Sequence, residues 1–183
     1  MGQYNAKAVN PPRLAYRSRQ FFRALFGPQT RVENEALLPY LSIPQIALFR
    51  RMQPSEQAHA FQVSVRVKAA GLRDRELLAA ALLHDVGKIL YPLSAWERVA
   101  IVLARHFFPK AAQRWGQGQP RGLRRAFVVA TRHAEWGADL AARSGASART
   151  ADLIRHHQDP PDPHPGSHSG RLLAALQQAD DFE

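Results

Sequence analysis

The segment 79–88, Ala-Ala-Ala-Leu-Leu-His-Asp-Val-Gly-Lys, places a histidine and an aspartate at the end of an apolar stretch. Read as a helix, it continues the core-facing stripe into His84 and Asp85. A buried imidazole or carboxylate loses its hydration, so each needs a polar partner or a metal ion. Gly87 is predicted to end the helix, and Lys88 supplies a nearby cation. Taken alone, the pair also fits a core histidine beside a helix-terminal aspartate.

Helical signals dominate the rest of the sequence, and no segment shows the alternation typical of a strand. Asp74 and Ser94 are predicted to cap the helices that follow them. A chain of 183 residues suits one domain that can bury a core of its own. We therefore expect an all-α fold, a helical bundle, with helices at about 13–26, 44–53, 55–71, 75–85, 95–107, 123–132, 134–143, 147–157 and 169–181.

The composition limits the chemistry that the chain can perform. It has no cysteine, so neither disulfides nor thiolate ligands are available. A metal site would have to use histidine, carboxylate and water, which suits Fe, Mn, Mg or Zn. No apolar run approaches the length of a membrane span, and the N-terminus lacks the apolar region of a signal peptide. The expected location is cytoplasmic.

The net charge of +10 is unevenly distributed. Residues 1–26 contain five cations and no acid, and residues 98–132 contain eight cations and again no acid. Such blocks attract polyanions, although a solvated basic face has the same composition. A nucleic-acid-binding role is disfavoured, because no helix-turn-helix or zinc module is recognisable.

The basic segment 1–26 is predicted to be an N-terminal extension, ahead of a domain at 27–183. Its predicted helix, 13–26, combines an apolar stripe with arginines. Two interpretations fit this pattern: the stripe packs on the domain, or it enters an anionic membrane surface with the arginines at the headgroups.

Other predicted helices also present a metal-capable side chain on an apolar face. His59 shares its face with valines, and His133 lies in line with a leucine and an alanine one to two turns later. At 100° per residue, His157 falls on the inner side of its helix and His156 on the flank. Asp180 shares a face with leucines. Burying so many titratable groups is unfavourable unless a cation compensates them.

The order of these residues resembles the HD-domain superfamily of metal-dependent phosphohydrolases. His-Asp-Val-Gly-Lys, at 84–88, matches the His-Asp-x-Gly-Lys variant of that family's motif, with His59 before it and Asp180 after it. His133 and the pair at 156–157 resemble the additional ligands of its two-metal branch, which includes the HD-GYP cyclic-dinucleotide phosphodiesterases. The resemblance covers about 43–183.

The sequence departs from that branch at two points. Gln-Asp-Pro-Pro follows the histidine pair at 156–157, and the Gly-Tyr-Pro of the HD-GYP enzymes is absent. Members with three metals carry a glutamate four residues before the first histidine, where this chain has Ser55. Glu56, three residues before His59, is a candidate to replace it.

The resemblance implies hydrolysis of a phosphomonoester or phosphodiester, with a phosphorylated small molecule or a nucleotide as substrate, by two divalent metal ions. It implies that Asp85 bridges the metals and that Lys88, or arginines of 98–132, offset the remaining negative charge. The alternative is a catalytically silent HD-fold module for signalling or binding that acts through its basic surface. The sequence leaves the substrate and the oligomeric state open. The metal ligands implied are His59, His84, Asp85, His133, His156, His157 and Asp180.

Overall fold

The computed structural model describes residues 31–162 and 166–181, and no strand occurs within these ranges, which agrees with the all-α prediction. The predicted helix 13–26 and the N-terminal extension lie outside the described residues. Short 3-10 helices occupy Asn34–Ala36, Val86–Leu90 and Gly122–Arg124. The α-helices are α1 (Ile43–Arg50), α2 (Pro54–Ala69), α3 (Arg75–Leu83), α4 (Ala95–Phe107), α5 (Pro109–Trp115), α6 (Arg125–Arg143), α7 (Ala148–His156) and α8 (His168–Asp180).

Helix α3 lies at the centre of the fold. Its residues 77–83 are all buried, because α2, α7 and α8 pack around it. The Asp74 side chain accepts a hydrogen bond from the backbone N–H of Leu77, which confirms the predicted cap. The main core contains this helix and its neighbours, and a smaller apolar cluster, which includes Ile101 and Val129, joins α4 to α6.

The predicted helices of the segment 107–143 differ from the structure in two respects. The predicted break between 123–132 and 134–143 does not exist, because α6 runs without interruption through His133. Helix α5 was not predicted. Pro109 occupies its first turn, where the missing N–H would have had no helical partner.

Gly87 does not end α3, which stops at Leu83, but lies within the 3-10 helix Val86–Leu90. A Cβ atom at Gly87 would come 2.0 Å from the backbone oxygen of His133 and 2.7 Å from the backbone nitrogen of Gly137. The absence of a side chain at this position therefore lets the 3-10 helix and α6 meet backbone to backbone.

No single helix in the described part of the chain has both the length and the hydropathy of a membrane span. The segments Arg75–Leu90 and Ala95–Phe107 reach those values only as a pair, with a bend of 106° between them.

Candidate metal centre

Six metal-capable side chains from five helical segments converge at one point of the fold. Their donor atoms form three overlapping triads, each with all its atoms within 4.8 Å of one another. Four of the residues follow a helix or end it, so their side chains reach past the helix end towards a common centre. The six residues are His59, His84, Asp85, His133, His157 and Asp180.

Three of the imidazoles are oriented by their own helices. The Nδ1 atom of His84 lies 2.9 Å from the Ala81 carbonyl oxygen. The Nδ1 atom of His133 lies 3.0 Å from the carbonyl oxygen of Val129, and that of His157 lies 2.7 Å from the carbonyl oxygen of Ile154. Because a carbonyl only accepts, each Nδ1 must carry the proton and donate it. In the neutral form of each ring, the Nε2 atom therefore presents its lone pair to the centre, as metal-binding histidines do.

The Nε2 atom of His133 shows why a cation fits here. It is buried and makes no hydrogen bond, although it lies 3.1 Å from the Oδ1 atom of Asp85. In a neutral ring with the proton on Nδ1, the Nε2 atom is an acceptor and so is the carboxylate oxygen that it faces. Two acceptors in contact are unfavourable in a buried site. A divalent ion between the two atoms would satisfy both lone pairs, and the mixed imidazole and carboxylate donors suit such an ion.

The carboxylate of Asp85 faces two parts of the cluster. Its Oδ1 atom is directed at His133, whereas Oδ2 lies 2.6 Å from the Nζ atom of Lys88 and 3.7 Å from Nε2 of His84. Burial would raise the pKa of Asp85, but Lys88 and His84 hold it well below its usual value. Asp85 is therefore an anion with one oxygen available on each side.

The remaining donors meet around Asp180. Its Oδ1 atom lies 2.9 Å from Nε2 of His59 and 3.4 Å from Nε2 of His84. Although burial opposes it, these histidines lower the pKa of Asp180. Burial would also lower the pKa of His84, but Asp85 and Asp180 together raise it. The carboxylates thus attract positive charge to this side of the cluster.

The opposite side favours neutral imidazole. Burial, with His84 and His133 close by, lowers the pKa of His157 to about 3. Burial and the nearby cation of Lys88 lower the pKa of His133. Both rings are therefore neutral near pH 7, which is the form that binds a metal.

A cavity of about 430 Å³ opens over the cluster. The donors His59, Asp85, His133, His157 and Asp180 line it on one side, and α4 lines it on another. From α4 come two cations and two apolar side chains, and Lys88 adds a third cation. The residues that α4 contributes are Arg98, Ile101, Val102 and Arg105.

Glu56 was considered a substitute ligand, but it is absent from the three donor triads. It is buried in the wall of the same cavity, where its Oε1 atom lies 3.1 Å from Arg98. Arg98 also donates to Gln53 and Ser55, at 2.6 Å and 2.8 Å. Burial raises the pKa of Glu56. The ion pair between Glu56 and Arg98 was not predicted. It joins α4 to the start of α2 across more than forty positions, and such a distant contact leaves no local pattern in the sequence.

The structure separates the two adjacent histidines of α7. His157 is buried with the cluster, whereas the side chain of His156 is 41% exposed and lies 2.8 Å from Asp159 and 3.3 Å from Asp152. His156, expected from the resemblance to be a ligand, is therefore placed outside the centre. The reason is the 100° step between consecutive helical residues, which turns neighbouring side chains apart.

Comparison with known proteins assigns the chain to a family. Residues 57–183 match the sequence profile of the HD domain family. Nothing matches among curated proteins, and nothing matches among solved structures. HD domains bind divalent metals, and most of the family are metal-dependent hydrolases within a phosphohydrolase superfamily. Because the match extends over more than half of the sequence, the chain belongs to the HD domain family.

Proposed function

We propose that the chain is a metal-dependent phosphohydrolase that binds two divalent ions at the six-residue cluster. The observation that carries the proposal is the arrangement at Asp85. One carboxylate oxygen is directed at His133 and the other at Lys88 and His84, so a single buried anion can serve two adjacent cations. The division of the donors into overlapping triads is consistent with this arrangement.

The donors divide into two groups around Asp85. His59, His84 and Asp180 would hold one ion, and His133 and His157 would hold the other. When bound, the ions would supply Lewis acidity for the phosphoryl group and would lower the pKa of water. The backbone carbonyls that hold the Nδ1 protons would keep the imidazoles fixed during turnover.

The cavity offers a place for a phosphate ester. Its volume of about 430 Å³ falls in the range of small-molecule sites. Lys88, Arg98 and Arg105 provide positive charge for the phosphate oxygens, whereas Ile101 and Val102 provide apolar surface for the rest of the substrate. We propose a phosphomonoester or phosphodiester as substrate, with nucleotides as one candidate class.

The first experiment measures metal content in two matched variants, His157→Ala and His156→Ala. Elemental analysis of the wild-type protein should give about two divalent ions per chain. His157→Ala should lower this value, since it removes a buried donor. His156→Ala should leave it unchanged, because that ring lies outside the cluster. Equal metal content in all three proteins would contradict the assignment.

The second experiment measures hydrolysis of p-nitrophenyl phosphate and bis-p-nitrophenyl phosphate with added Mn²⁺, Mg²⁺, Fe²⁺ or Zn²⁺. Asp85→Ala should abolish turnover and metal binding. Asp152→Ala should retain both, because that carboxylate is exposed and contacts His156 outside the cluster. Lys88→Ala should retain metal but lower turnover. A metal-loaded protein that cleaves neither these esters nor a panel of nucleotides would favour the catalytically silent signalling module.

A further inference from the structure

A second surface of the molecule lies on the outer side of α4. Residues 96, 100, 103 and 107 follow one another at intervals of four, three and four, so they form a stripe along one face of the helix. The stripe is exposed, with Trp96 at 82%, Leu103 at 50% and Phe107 at 64%. Phe108, at 63%, continues it beyond the helix end. We call these four large side chains the apolar ridge.

The apolar ridge is unusual for the surface of a soluble domain. Single exposed apolar side chains are common, but a run of them that includes three aromatic rings marks an interaction site. Leu123, in the 3-10 helix before α6, is also 97% exposed and is flanked by arginines. Another side of α4 provides contacts with the domain, since Ile101 and Ala104 are buried.

The chain around the apolar ridge is strongly basic. Residues 98–132 contain no aspartate or glutamate. Four of its exposed cations form no ion pair with any residue that the structure describes, whereas Arg98, Arg125 and Arg132 are each paired with a glutamate. These four are Lys110, Arg114, Arg121 and Arg124; Arg105 is also exposed and has no ion pair within the described part of the chain, but it lines the metal cavity. This basic segment favours a negatively charged partner, because unpaired cations attract anionic groups.

The charge disfavours two simpler occupants. A second copy of the chain that docked through the same surface would bring one basic segment against another. The N-terminal residues 1–26 contain five cations and no acid, so they too would be repelled. A nucleic acid offers the right charge and stacks on aromatic rings, but it gives no favourable environment to the aliphatic side chains of Leu103 and Leu123.

We propose that the apolar ridge, with Leu123 and the four unpaired cations, is a docking surface for an anionic phospholipid membrane. The aromatic and leucine side chains would enter the boundary between headgroups and acyl chains, and the cations would remain at the headgroups. The inference is independent of the hydrolase activity, because Arg98, Ile101 and Arg105 face the metal cavity from another side of α4.

The first test is sedimentation of the full-length protein with vesicles. Vesicles that contain about one third phosphatidylglycerol in phosphatidylcholine should bind the protein, and this binding should weaken as salt is added. Vesicles of phosphatidylcholine alone should bind it at least about tenfold more weakly. Equal binding to both vesicles, or to neither, would overturn the proposal.

The second test removes the apolar contribution. Leu103→Ser combined with Phe107→Ser should lower the affinity for anionic vesicles by about tenfold or more. Leu38→Ser combined with Ile43→Ser is the matched control, since those side chains are 50% and 69% exposed but lie outside the ridge. The far-UV circular dichroism spectrum and the Tm of both proteins should match those of the wild type, which shows that they are folded.

The third test removes positive charge. Arg121→Gln combined with Arg124→Gln should lower the affinity by about tenfold, whereas Arg73→Gln combined with Arg143→Gln should have a smaller effect. Wild-type binding in the ridge variant would place the membrane contact elsewhere, for example in residues 1–26, and would overturn the proposal. A labelled single-stranded oligonucleotide provides a further check at physiological salt. If it binds more tightly than the vesicles do, and if the ridge substitutions do not change its affinity, the membrane proposal is overturned.

Discussion

Replacing Gly87 by alanine tests the contact that brings Asp85 and His133 together. The added Cβ would lie 2.0 Å from the backbone oxygen of His133, 2.7 Å from the backbone nitrogen of Gly137 and 2.8 Å from the backbone carbon of His133. Real Cβ atoms essentially never come closer than 3.0 Å to such atoms, so the oxygen must retreat by at least 1.0 Å. All three atoms belong to the backbone, so no side-chain rotation can relieve the clash.

The expected loss of stability follows from this geometry. Forcing an extra methyl into a packed interior costs about 1–3 kcal/mol, and three rigid neighbours place this case near the upper limit. Alanine restricts the unfolded chain more than glycine does, which offsets about 0.4–1 kcal/mol. We therefore expect a net loss of about 2 kcal/mol in the free energy of unfolding. Separating the 3-10 helix from α6 would also move Asp85 away from His133, so metal affinity should fall.

Chemical denaturation in the presence of a chelator measures the first effect, and metal titration measures the second. Gly137→Ala is the matched control, since its Cβ would meet its nearest neighbour at 3.1 Å, and we expect a smaller loss of about 1 kcal/mol or less. A Gly87→Ala protein with wild-type stability and metal affinity would refute the close approach of the two backbones.

Two further predictions concern ion pairs of α4. Although partial burial opposes it, hydrogen bonds from Ser94 and the contact with Arg125 lower the pKa of Glu97 below 4.5. The pKa of Glu97 is lower in the folded protein than in the unfolded chain. Glu97 therefore stabilises the fold above pH 4.5, and this stabilisation is lost as the pH falls through the pKa of the folded protein. Glu97→Gln should therefore lower Tm at pH 7, and this loss should become smaller as the pH is lowered below 4.5. A loss in Tm that does not change with pH would contradict the prediction. Arg98→Ala should cost about 3 kcal/mol at pH 7, because it removes the cation that is in ion-pair contact with buried Glu56. The loss should become smaller as the pH is lowered and Glu56 takes up a proton, and adding Glu56→Gln should recover most of it. A double variant no more stable than Arg98→Ala would assign the effect to packing.

The sequence was sufficient to predict much of the site because its residues follow helical periodicity. His59, His133 and Asp180 each share an apolar face with residues one or two turns away, and that face must point inwards once the helices pack. The same angular argument placed His157 rather than His156 on the inner side, as the structure has it.

The features that were missed depend on contacts between distant parts of the chain. Gly87 was interpreted as a helix end, since glycine often has that role, whereas its actual role is set by the backbone of α6. The pair of Glu56 and Arg98 likewise depends on how α4 docks against α2. At Pro109 the signal was local but ambiguous, because proline both ends one helix and begins the next.

The hydrogen bonds that hold Nδ1 of His84, His133 and His157 have a consequence for metal selectivity. Each ring is tied to the backbone of the helix that carries it, so the distances between Nε2 atoms are set by the spacing of α3, α6 and α7. An ion of larger radius would have to push whole helices apart against their packed core, whereas in a site built on loops a change of rotamer would suffice. If the proposed function holds, discrimination by ionic radius would be a property of the apolar packing, and a volume change in the core between these helices would alter which metal is retained without a change of any ligand.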